Sequence, residues 1–301
     1  MTYMIVLFAY SKTNVWSYYF IGLLTFFAII ALRDNLSVIQ KKMIARKTIS
    51  FSTLLVFIDT VYRFKFPRTE YLLAIEEQGK LDYIFYGYKH SFLFQDSNFV
   101  GLFILSVYFL FRENMHLYKN KKIIMLIIIT LIIFTFSRAA LVALFFTEIL
   151  RFLCRIKVDV RIKAVLSLLL IVPLVYAIID LINNISDASF ESKFMLLYKF
   201  FGTIEQRELI ELFFGWGLDN TRDHWGIAAH SLFNTMIIEM GFVGFILIIL
   251  SMSYCWSLNK KTCYHFIGLS IAFLSFGLIF TPFFIPLGLN IIMRDDLNET
   301  L

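Results

Sequence analysis

The chain has 301 residues, 59% of them apolar, 18% aromatic and only 17% charged. Soluble domains devote about a quarter of their residues to charge, so this composition excludes an ordinary water-soluble globule. The net charge of +6 is spread over short basic blocks between long apolar runs, which excludes a nucleic-acid-binding face and suits loops at a membrane surface.

From the N-terminus, Met1–Tyr10 is apolar but too short to cross a bilayer and is read as interfacial or as the stub of a span. It carries neither a basic leader nor a small-residue cleavage site, so a removed signal peptide is not expected. Spans of a length that can cross the hydrocarbon core follow near 16–32, 48–62, 98–111, 123–137, 139–153, 164–182, 231–255 and 264–280. The tail from Thr281 contains Pro282 and Pro286, which make a straight helix improbable. The expected fold is therefore all-α, a polytopic membrane bundle of about eight helices. Residues 1–182 would form an N-terminal bundle, 183–230 an extracytoplasmic loop, and 231–301 the C-terminal helices.

Every second loop is basic. Arg33, Lys41, Lys42, Arg46 and Lys47 fill the first, and Arg112, Lys119, Lys121 and Lys122 the third. Arg151, Arg155, Lys157, Arg161 and Lys163 fill the fifth, and Lys260 and Lys261 the seventh. These loops are assigned to the cytoplasm, which leaves 63–97 and 183–230 outside. Arg63, Lys65 and Arg68 run against the rule in the first of these segments. Cys154, Cys255 and Cys263 lack metal-ligand spacing and fall at cytoplasmic ends, where no disulfide is expected.

Residues 123–153 run without Gly or Pro. One helix of that length would measure ~46 Å and place the next basic block outside. Two shorter helices meeting at Ser137–Arg138 are expected instead, which puts the Arg138 cation at partial depth, where it must be wet or paired. Asp59 and Glu148 are further acids inside apolar runs, and the sequence names no partner for either.

The outer segment 183–230 is the richest in chemistry. Arg207 is expected in an amphipathic helix over about 203–213, followed by Gly215–Trp216–Gly217, where the backbone can approach a ligand closely. His230 and Asn234 open the next span at i and i+4, on one helical face. Glu239 falls on the opposite face and is expected to pair with another element. Asp96 and Asn98 suit either a helix cap or a ligand contact, while Gly241 and Gly244 suit close helix packing. Trp216 and Trp225 could stack on sugar faces.

These pieces together resemble the O-antigen polymerase and O-antigen ligase superfamily. The resemblance rests on SRAA at 137–140, FQDSNFVG at 94–101, the outer arginine with GWG, HSLFN at 230–234 and EMGFVG at 239–244. It covers about residues 90–255, although members of that family usually carry more spans than this chain supplies. The resemblance implies a lipid-dependent glycosyltransferase that takes a glycan from an undecaprenyl diphosphate donor at the outer face of the cytoplasmic membrane, and the DSN segment at 96–98 favours a polymerase of repeat units into O-antigen or capsular polysaccharide. No cofactor and no metal are expected. Membrane lipids, a flippase and a chain-length regulator are the partners implied.

Chemistry gives these residues roles. Arg138 and Arg207 would clamp the departing diphosphate with charge-assisted bonds, and His230, with an unperturbed pKa near ~6.5, is the candidate base. Asn234, Gly215, Gly217, Asp96 and Asn98 are the candidate substrate contacts. The competing readings are a ligase, a transporter or flippase of lipid-linked sugars, and a non-catalytic scaffold. Few glycines and prolines, and polar residues gathered at one face, favour the enzyme over the transporter.

Overall fold

The computed structural model describes residues 3, 7, 11, 13–68, 87–156, 188–227, 231–274 and 281–293. Over these the protein is all-α. The helices are α1 (Thr13–Ala31), α2 (Val38–Lys65), α3 (Ser97–Glu113), α4 (Lys121–Phe134), α5 (Arg138–Arg155), α6 (Ala188–Gln206), α7 (Leu209–Phe214), α8 (Thr221–Trp225), α9 (Leu232–Leu258), α10 (Cys263–Phe273) and α11 (Thr281–Ile292). A minimal hairpin, β1 (His90–Ser91) antiparallel to β2 (Gln95–Asp96), interrupts them. Helices occupy the described parts of seven of the eight apolar runs; the run at 164–182 and residues 275–280 of the last lie outside the described residues.

Local signals explain the boundaries. Ser37 and Gln40 form a reciprocal capping box that starts α2, satisfying two N–H groups otherwise left orphaned. Asp96 caps α3 through Asn98 N at 2.8 Å, so the capping reading of this pair describes the contact it makes. The α4–α5 turn falls at 135–137 without glycine. Phe136 takes a left-handed φ of 53°, which costs about 1–2 kcal/mol. Thr135 Oγ1 then bonds to Ile132 O at 2.7 Å, and Ser137 caps α5.

Among the described residues, α9 is the one helix long and apolar enough to cross a membrane, while α10 and 283–292 are shorter apolar helices. The bundle is organised around α3, whose residues Val100 to Phe111 are buried all round, as expected of a helix apolar on every face. Helices α2, α4, α5, α10 and α11 surround it. Gly101 lets the α4–α5 turn close on α3, since a Cβ there would meet Ser137 and lie 2.9 Å from Thr135 Oγ1.

The tail departs from expectation. A helix runs over Thr281–Ile292 with Pro286 inside it and is wedged between α1 and α3. Pro282 sits in the first turn, where no N–H is needed, so only the bond from position 286 is lost. Burial of Phe283, Phe284, Leu287 and Ile291 outweighs that loss.

Helix ends meet in two sets. At the basic end, Arg151 pairs with Glu113 at 2.6 Å and with Glu148 at 3.4 Å, and Arg112 pairs with Glu148 at 3.4 Å. Glu148 therefore has two cationic partners. Nearby, buried His265 lies 2.9 Å from Ser106 Oγ, whose own hydroxyl donates to Phe283 O. Asn290 Nδ2 faces the other ring nitrogen at 3.2 Å, and Asn290 Oδ1 accepts from Asn114. The network is self-consistent with a neutral imidazole carrying its proton on Nε2, and it knots α3, α10 and α11.

At the opposite end, the hairpin end, Arg63 and Asp59 are both fully buried. Asp59 accepts from Arg63 Nε at 2.9 Å, Ser91 Oγ at 2.7 Å and Phe92 N at 3.1 Å. Arg63 also donates to Phe134 O at 2.9 Å, Tyr88 O at 3.3 Å and Thr60 Oγ1 at 3.1 Å. One ion pair thus ties the end of α2 to the hairpin and to the α4–α5 turn. Arg63, which broke the alternation of basic loops, is a structural cation.

Candidate functional site

The site begins with a break in α9. Gly241 adopts φ 65° and ψ 178° inside the helix, a conformation costly for any side-chain-bearing residue. Non-helical geometry there releases the preceding carbonyls from the i→i−4 ladder, and each released carbonyl needs a new donor. The segment after α7 supplies them. Trp216 N donates to Ile238 O at 3.0 Å and Gly217 N to Glu239 O at 2.9 Å. Arg207 Nη2 adds a second bond to Ile238 O at 2.9 Å, and the Tyr3 hydroxyl donates to Met240 O.

Gly215 and Gly241 stand back to back. Both have positive φ, and a Cβ on either would fall 2.6 Å from the backbone nitrogen of the other. The close approach anticipated at Gly215–Gly217 is thus an approach to the backbone of α9. The Glu239 carboxylate completes the joint, accepting from Thr221 Oγ1 at 2.6 Å and Asp219 N at 2.9 Å. Its partner is the loop entering α8. Gly215→Ala or Gly241→Ala should pry the 207–221 segment from α9 and expose it to limited proteolysis. Gly202→Ala is the control: a Cβ there meets nothing within 4 Å, and a helical alanine should stabilise by up to ~1 kcal/mol.

Arg207 does not lie within a helix, contrary to the expectation of one over 203–213. Helix α6 ends at Gln206 and α7 begins at Leu209. The chain leaves helical geometry because Arg207 turns onto Trp216, with its guanidinium carbon 3.7 Å from the ring centre. The His224 ring stacks on the same indole at 3.8 Å and 20°. Neither distance leaves room for a second flat group on that side, so the two cover opposite faces of Trp216. Its faces are consequently closed to a sugar. Trp225 is buried, with Nε1 bonded to Thr203 Oγ1 at 2.9 Å, so it too offers no open face.

What this sandwich presents is donors. Arg207 Nε, Arg207 Nη1 and Trp216 Nε1 are all buried with no hydrogen-bond partner among the described residues. An unmade buried hydrogen bond costs about 1–3 kcal/mol, so three in one stacked assembly call for acceptor oxygens. Burial pulls the Arg207 guanidinium down to about 10, against the opposing pull of Glu211, and the group stays cationic at neutral pH.

The structure brings Arg207, Gly215 and Gly217 together on residues 238–241 of α9, one turn below half-buried Asn234. Asp96 and Asn98 belong to the other construction, at the start of α3 beside the Asp59–Arg63 pair. Arg138 opens α5, exposed, directly after the turn that Arg63 holds through Phe134 O. His230 lies outside the described residues. Sequence reasoning missed the Trp216 stack, Tyr3, and the Asp59–Arg63 pair. The last was readable from its i, i+4 spacing, whereas nothing in the sequence linked Tyr3 to residues 214 and 240.

Compared with known proteins, the chain matches no family model, no curated protein and no solved structure.

Proposed function

We propose that this chain is a polytopic membrane glycosyltransferase that polymerises undecaprenyl-diphosphate-linked repeat units on the outer face of the cytoplasmic membrane. The observation that carries the reading is the donor cluster: three buried donor nitrogens, two on a cation, with no acceptor among the described residues. Diphosphate oxygens are the acceptors such a cluster fits best, since a guanidinium fork matches them in geometry and charge.

Level along the bundle supports it. Arg46, Arg112, Arg151 and Lys260 lie at one end, and the hairpin, with the buried Arg63 and with Arg138, lies at the other. From Leu258 up to the break at Gly241, residues 242–258 of α9 span ~26 Å, close to the ~30 Å of the hydrocarbon core, which brings Ile238, where Arg207 is bound, near the outer boundary. A lipid diphosphate carries its charge at that level. Arg138, at the start of α5, adds a cation where helical N–H groups already attract anions.

In the reaction, an acceptor-sugar hydroxyl attacks the anomeric carbon of the donor. The bond from that carbon to the diphosphate oxygen breaks, and its electron pair leaves on the diphosphate. Arg207 stabilises the charge that develops there. The hydroxyl proton passes to a base, for which His230 is the candidate. The test is complementation of a strain lacking its polymerase, read as the ladder of polysaccharide lengths. A restored ladder supports polymerisation. Single-repeat surface material without a ladder, the phenotype of the host itself, overturns it, and restored surface material in a strain lacking its ligase or its flippase points to that function instead.

A further inference from the structure

Helix α7 carries an apolar face that the described residues do not cover. Leu209 and Ile210 are 72% and 71% exposed, and Phe213 and Phe214 are exposed beside them. In water each such side chain would forgo about 1.5–3 kcal/mol of burial, and contiguous patches of this kind mark an interaction surface. Three observations identify what covers it.

The first is level. The Phe213 carbonyl abuts Gly241, the break from which residues 242–258 of α9 run toward the basic end, so α7 sits at the outer end of that span. The second is continuity. Helix α7 packs on α9 and meets it at Gly241, and beyond that junction Phe242, Ile246 and Leu250 are exposed too, on the helix long and apolar enough to cross a membrane. The third is polarity. Exposed Glu205 and Glu208, with half-buried Arg207 between them, sit just before α7, where a headgroup layer would meet them. We infer that α7 is an interfacial helix, with Leu209, Ile210, Phe213 and Phe214 seated in the acyl chains of the outer leaflet. Such helices bury their apolar face by ~5–10 Å. The inference rests on the membrane reading above. It gives α7 a task, to hold Arg207 at phosphate level so that a lipid-borne diphosphate meets it by lateral diffusion.

The test uses the full chain with Cys154→Ser, Cys255→Ala and Cys263→Ser, reconstituted in phosphatidylethanolamine–phosphatidylglycerol vesicles. Single spin labels are placed through Ile210→Cys, Phe213→Cys, Ile246→Cys and Glu205→Cys, and collision with oxygen is compared with collision with a water-soluble nickel chelate. The oxygen-to-nickel ratio at 210 and 213 should match that at 246 and exceed that at 205 by at least about threefold, as expected of side chains within the acyl region. Labels at 210 and 213 that behave like 205, while 246 remains lipid-like, overturn the inference and leave the membrane reading standing. Labels shielded from both relaxants mean that protein covers α7, which overturns it equally. Nickel access at 246 removes the membrane reading itself.

Discussion

Replacement of Arg207 by alanine should abolish the polysaccharide ladder and leave single-repeat material at the surface. The loss of turnover should be about 10²–10³-fold, the effect of deleting one preorganised donor to developing negative charge. Two further variants separate chemistry from folding. Arg207→Lys keeps the charge but loses the planar stack on Trp216 and the forked geometry, and should recover little. Trp216→Phe keeps a ring between Arg207 and His224 but removes Nε1–H, and should retain part of the ladder. A cation–π contact of this kind contributes only ~0.5–2 kcal/mol to folding, so membrane levels of all three proteins should stay close to wild type by immunoblot. A full ladder from Arg207→Ala would end the diphosphate assignment.

The largest stability change is expected from Asp59→Asn or Arg63→Ala. Both side chains are completely buried, and removing one leaves the other charge, with its hairpin and turn partners, uncompensated. The cost is about 3–5 kcal/mol, read as a lowered midpoint of denaturation in detergent. Asp59→Leu combined with Arg63→Met should be less damaging than either single change, because no buried charge remains. It should still fall short of wild type, since Tyr88 O, Phe134 O, Ser91 Oγ and Phe92 N each lose a partner. Single variants as stable as wild type would mean that the hairpin and the α4–α5 turn are held by other contacts. Because Arg63 grips the carbonyl four residues before Arg138, the same variants should also weaken the ladder if Arg138 serves the donor.

Part of the site was legible in advance. Asp96 as a helix cap follows from residue type and position alone, and the break between α4 and α5 followed from length and charge although no turn residue marks it. The role of Arg207 was only half legible. Its chemistry pointed to an anion, but its neighbours are set by the indole of Trp216 and a carbonyl of α9, 31 residues on. Gly215, Gly217 and Gly241 stood out as glycines, yet whether they approach a ligand or each other depends on two segments meeting.

The sequence by itself marked most of the described helices, because long apolar runs, caps and charge blocks act over a few residues at a time, while packing decided the tail helix through Pro286 and the exit from helix at Arg207. Only the tertiary structure decided which donors are spoken for. A hydrogen bond is satisfied by whatever lies within about 3 Å, and the folded chain brings Tyr3 to residue 240 and Arg63 to residue 134. The same folding consumes the faces of Trp216, fills Glu239 and Asp59 with donors, and leaves Arg207 with N–H groups still to give.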